Sequence, residues 1–83
     1  FSQAINDISK VIAIYKKDDD ILDLINYRGD MYVEFSQHMN AIADYSNVIN
    51  QDPENVYALY QRAKENDLIA RKDRAIADYE KIV

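Results

Sequence analysis

One apolar pattern occurs three times in this chain of 83 residues, and it restricts the fold more than any other feature. Ala4-Ile5 with Ile8, Val11 and Ile12 returns as Ala41-Ile42 with Tyr45, Val48 and Ile49. It returns again as Ala75-Ile76 with Tyr79, Ile82 and Val83. An aspartate keeps its place in each copy: Asp7, Asp44 and Asp78. The alanines stand 37 and then 34 residues apart. Apolar residues at i, i+1, i+4, i+7 and i+8 share one side of an α-helix, since about 3.6 residues complete a turn. A stripe that recurs every ~34 residues predicts stacked helical hairpins, none of which buries its apolar face alone.

Composition agrees with helices. Apolar residues make up 48% of the chain against one glycine and one proline, so there is material for a core and little to break a helix. This length suits a single small domain. No cysteine is present, which excludes disulfides, thiolate metal sites and a thiol nucleophile. The net charge of −5 argues against phosphate backbones and anionic membranes as partners. No apolar run approaches the ~20 residues of a membrane span, and no signal-peptide pattern is visible. The compartment is not readable, with the cytoplasm as default. The first residue is Phe1, and an apolar stripe runs to the end, as expected of a fragment.

Five helices are expected, over residues 2–15, 21–35, 38–50, 54–70 and 73–83, with a charged connector from Lys16 to Asp20. Ser36 is a candidate cap for the third helix and Asp73 for the fifth, because short polar side chains accept from first-turn N–H groups. Pro53 ends the third helix and suits the first turn of the fourth. An unbroken helix from Val56 to Val83 is the alternative, since no glycine or proline lies between them.

These residues resemble the tetratricopeptide repeat (TPR), a pair of antiparallel helices called A and B with small residues where they cross. With Pro53 as the closing proline, residues 22–55 form a full repeat. Gly29 falls on the small position of helix A and Tyr32 on its aromatic position. Ala41 and Tyr45 match the corresponding places of helix B, and Val48 stands where alanine is usual. Ala63, Ala75 and Tyr79 continue the match through 56–83, a near-complete repeat, and 1–15 is a lone B helix. Asn66 departs from the aromatic position, and Ser36 and Ala70 replace the usual inter-helix glycine. The resemblance implies an all-α helical-hairpin solenoid, an α-α superhelix of about five helices and two and a half repeats.

Catalytic chemistry is not expected. His38 is the sole histidine and reads as a solvated turn residue, so neither a base nor a zinc site is indicated, and no cofactor is expected. One glycine rules out phosphate-cradling loops. Asp18-Asp19-Asp20 fails as a calcium loop, because its sixth and twelfth positions are Asp23 and Gly29. Arg28-Gly29-Asp30 spells an adhesion tripeptide but lies within a helix. Arg71, Lys72 and Arg74 read as a solvated basic corner. The seven tyrosines do not indicate nucleic acid, given the net acidity and the core phase of Tyr45 and Tyr79.

What the resemblance implies instead is a scaffold that binds a peptide or protein in a concave groove lined by A helices. The groove positions carry over to Asp23, Asn26, Asp30, Val33 and Glu34, and to Tyr57, Tyr60, Gln61, Lys64 and Asp67. Members that hold a terminal carboxylate use lysine and asparagine where this chain has Asn26 and Asp30. The acidic residues around them predict a basic or apolar peptide. The alternative is a self-assembly module, a homo-oligomer formed through exposed repeat ends.

Overall fold

A computed structural model describes residues 2–15 and 20–82. Among them are five α-helices and no strand: α1 (Ser2–Ile14), α2 (Ile21–Glu34), α3 (His38–Gln51), α4 (Val56–Leu68) and α5 (Lys72–Ile82). Each helix packs chiefly on its neighbours in the chain. Residues 16–19 of the connector, with Asp18 and Asp19 of the failed calcium motif, lie outside the described residues, as do Phe1 and Val83.

Two turns explain why the chain folds into hairpins without the expected glycine. At the end of α2, the Ser36 N–H donates to the Val33 carbonyl (3.0 Å) and the Gln37 N–H to the Tyr32 carbonyl (2.8 Å). At the end of α4, Ala70 donates to Asp67 (3.1 Å) and Arg71 to Asn66 (2.7 Å). This pair of bonds is the Schellman arrangement, which satisfies carbonyls that a helix end leaves open. It requires a left-handed residue, and Ser36 (φ 61°) and Ala70 (φ 65°) take that role. Ser36 therefore terminates α2 rather than capping α3, whose N-cap is Gln37. Ala70 also breaks the 56–83 segment, so the unbroken helix does not form. Two other boundaries shift. Pro53 lies in the turn before α4, which Asn55 caps by accepting the Ala58 N–H at 2.9 Å. Asp73 sits inside the first turn of α5 instead of capping it.

The core is centred on α2, α3 and α4, where Ile21, Ile25, Ala41, Tyr45, Val48, Ile49, Ala58 and Leu59 are buried together. The apolar stripe drives this burial, at ~25 cal/mol for each Å² removed from water. Gly29 is set by its neighbour. A Cβ there would stand 2.7 Å from Cε1 and 2.9 Å from Cζ of the buried Tyr45 ring. The three copies of the stripe are not buried equally. Ala41 and Ala75 are buried while Ala4 is exposed, and Tyr79 remains partly exposed where Tyr45 is fully covered. Tyr79 is thus less a core residue than its phase predicts.

Side chains other than glycine pay an intrinsic steric penalty of about 1–2 kcal/mol in the left-handed region. Ala70→Gly is expected to raise unfolding stability by about 0.5–1.5 kcal/mol, after subtracting glycine's extra unfolded-state freedom. Urea denaturation of the two proteins at constant m-value measures it.

Candidate binding cleft

Two arginines set the positions of the helices that frame the cleft. Arg28 on α2 donates through Nε and Nη2 to both carboxylate oxygens of Asp44 on α3, at 2.8 and 2.6 Å. Its Nη1 donates to Ser9 Oγ on α1 at 3.1 Å. Arg62 on α4 repeats this with Asp78 on α5 (both bonds 2.7 Å) and Ser46 on α3 (3.0 Å). Bidentate guanidinium–carboxylate pairs are strong and fix orientation. The bonds to Asp44, opposed by burial, raise the Arg28 pKa above its ordinary value. Asp7 holds the same place in the first copy, but is exposed and accepts from Gln3 Nε2 at 3.0 Å. The recurring aspartates were visible in the sequence. Their arginine partners were not singled out, although Arg28 and Arg62 share the 34-residue offset of Asp44 and Asp78.

A cleft of about 400 Å³ lies where α2 faces the start of α4, lined by Asp23, Asn26, Tyr27, Asp30, Asn55 and Tyr57. Of the expected groove residues, four meet here: Asp23, Asn26, Asp30 and Tyr57. The exposed Tyr27 and the capping Asn55 were not anticipated. Asp23 is exposed on the first turn of α2. Asp30 is a bridging group more than a free charge. Its Oδ1 accepts the Tyr45 hydroxyl and its Oδ2 the Tyr57 hydroxyl, each at 2.5 Å. The second bond ties α4 to α2 across the cleft. Asn26 is 7% exposed, and its Oδ1 has no hydrogen-bond partner.

The other expected residues lie outside this cleft. Tyr60 and Lys64 form a cation–π pair, with Nζ 5.0 Å from the ring centroid, and Tyr60 lies 6.1 Å from the Tyr79 ring. Gln61 is half-buried and Glu34 exposed, and neither lines the cleft. Val33 packs against the core, and Asp67 pairs with Lys72 at 2.9 Å, so both have structural partners.

His38 corrects its sequence reading. It is not a solvated turn residue, because its Nδ1 lies 2.6 Å from Oε1 of Glu65, whose side chain is 2% exposed. The contact anchors the start of α3 to α4. Glu65 was missed because a charged residue at that phase of a helix reads as surface. Among the described residues, no group of three His, Cys, Asp or Glu is placed to hold a metal, and no helix is long and apolar enough to cross a membrane.

Compared with family models, curated proteins and solved structures, the chain has no significant match.

The phenols respond to this environment. Partial burial and the bond to Asp30 push the Tyr57 pKa from 10.0 up to about 12. Burial, then Asp30, moves Tyr45 upward as well. A folded-state pKa above the unfolded one means the folded protein keeps a proton that the unfolded chain loses. The Tyr57 contribution is therefore complete below pH 10.0 and lost as pH rises toward about 12. Urea midpoints between those limits are expected to fall with pH, and Tyr57→Phe to flatten the fall. An unchanged slope in the variant would contradict the Asp30–Tyr57 bond.

Proposed function

We propose that this chain is a helical-repeat module of the tetratricopeptide type, an α-α superhelix that holds an extended segment of a partner protein. Its internal repetition supports the architecture. The Arg–Asp–Ser contacts and the left-handed turns both recur at a 34-residue offset on the arginine, aspartate and turn positions. The observation that carries the binding role is the cleft between α2 and α4. There two carboxylates, an unpartnered buried amide oxygen and two exposed tyrosine rings converge with no cation among the lining residues. Carboxylates and aromatic faces attract an ammonium or guanidinium group, and the amide oxygen calls for a donor. The preferred segment is one with a lysine or arginine spaced by small or apolar residues. Tyr60, Lys64, Gln61 and Glu34 extend the proposed groove beyond the cleft.

A fluorescently labelled peptide of alternating lysine and alanine, paired with its glutamate-for-lysine counterpart, tests this by polarisation. The lysine peptide is expected to bind at least about tenfold tighter. Asp23→Lys is expected to weaken it about fivefold at physiological salt, since Asp23 has solvent on one side. Equal binding of the two peptides, or indifference to Asp23→Lys, would reject the cleft.

One observation favours the second reading, self-assembly. On α5, Ile76 and Tyr79 are exposed at positions whose α3 counterparts, Ile42 and Tyr45, are half-buried and buried. Sedimentation across concentration separates the two. A dimer abolished by Ile76→Glu would favour assembly, and a monomer at all concentrations would leave peptide binding.

A further inference from the structure

We infer that the second hairpin (α4 and α5, the first being α2 and α3) carries a separate site for a small aromatic acid, a ring bearing a hydroxyl and an anionic group. The site is a cavity of about 290 Å³ between α3, α4 and α5, bounded in part by Ile42, Arg62, Asn66, Arg74, Ala77 and Lys81. Register against the preceding hairpin explains why it is there. Asn66 stands 34 residues after Tyr32, as Arg62 does after Arg28. In the first hairpin the Tyr32 ring lies 6.0 Å from the Arg28 guanidinium carbon and packs against the core. In the second, Arg62 keeps the same bonds to aspartate and serine, but the ring beside it is replaced by a short amide. What is missing has the size and flatness of a phenol.

Two further differences converge on the same space. Arg74 and Lys81 replace Asn40 and Asn47 of the first hairpin, so two neutral positions become cationic where the ring is lost. Both cations are exposed, and neither pairs with a carboxylate among the described residues, while Asp78, which also lines the cavity, is engaged by Arg62. Asn66 itself is 2% exposed, and its Oδ1 lacks a hydrogen-bond partner. A buried acceptor left open is costly and rare, and a ligand hydroxyl would satisfy it. Ile42 and Ala77 offer apolar contact to a ring, the guanidinium plane of Arg62 offers a stacking face, and Arg74 and Lys81 offer charge to an anion. The three differences supply ring space, donor demand and positive charge together. A solvated basic corner explains only the last.

The probe is 4-hydroxybenzoate, titrated into the isotope-labelled chain and followed by amide chemical shifts. Saturable shifts around α4 and α5 are expected, with a dissociation constant of about 0.1–1 mM, reasonable for so small a ligand. Asn66→Tyr refills the space and is expected to raise the melting temperature while weakening binding at least about tenfold. Arg74→Asn with Lys81→Asn restores the first hairpin's residues at exposed positions. This pair should leave melting unchanged and weaken binding at least about fivefold. Benzoate, which lacks the donor, should bind about threefold weaker or worse. No saturation by about 10 mM, shifts confined to the α2–α4 cleft, or undiminished binding by either variant would overturn the site.

Discussion

Two guanidinium groups join all five helices. Arg28 touches α1, α2 and α3, Arg62 touches α3, α4 and α5, and the two sets share α3. Each is a fork that fills both oxygens of a nearly buried carboxylate and spends a third N–H on a serine of the preceding helix. Apolar stripes alone permit neighbouring helices to slide, because burial is proportional to area and has no direction. A planar fork has direction. It fixes how far α2 and α4 are rotated, and hence which side chains they turn toward one another across the cleft.

The cleft is joined to the core by a second polar contact. Asp30 receives the hydroxyl of Tyr45, whose ring occupies the space that Gly29 leaves open, and also the hydroxyl of Tyr57 at the start of α4. Core packing and cleft shape therefore depend on the same carboxylate. Asp23 and Asn26 differ from it. One is exposed and the other carries an unsatisfied oxygen, so they are the groups that the proposed ligand would meet.

The helices and their order were legible because a 3.6-residue stripe repeated three times is a strong signal. The cap residues were less legible. Ser36 reads as an N-cap from residue type, yet it adopts a left-handed conformation that ends the preceding helix, a role that glycine usually advertises. His38 and Glu65 were opaque for a similar reason. Polar residues near turns read as solvated, and only tertiary packing brings this pair together. For the cleft, the repeat resemblance carried over Asp23, Asn26, Asp30 and Tyr57. It had no means of separating Val33 and Asp67, which have structural partners, or of finding Tyr27, which borders the cleft from a neighbouring phase. The Arg–Asp pairs were legible in principle from their common 34-residue offset.

The most direct test of the central claim is a double-mutant cycle on Arg28 and Asp44, using Arg28→Met, Asp44→Ala and the pair, with unfolding free energies from urea denaturation. If the fork fixes the hairpin, either single change leaves an unpaired, largely buried charge or removes the anchor. The singles then cost about 2–4 kcal/mol each, and the double costs at least about 1.5 kcal/mol less than their sum. Additive effects would contradict the account and leave the hairpin held by its apolar stripe alone.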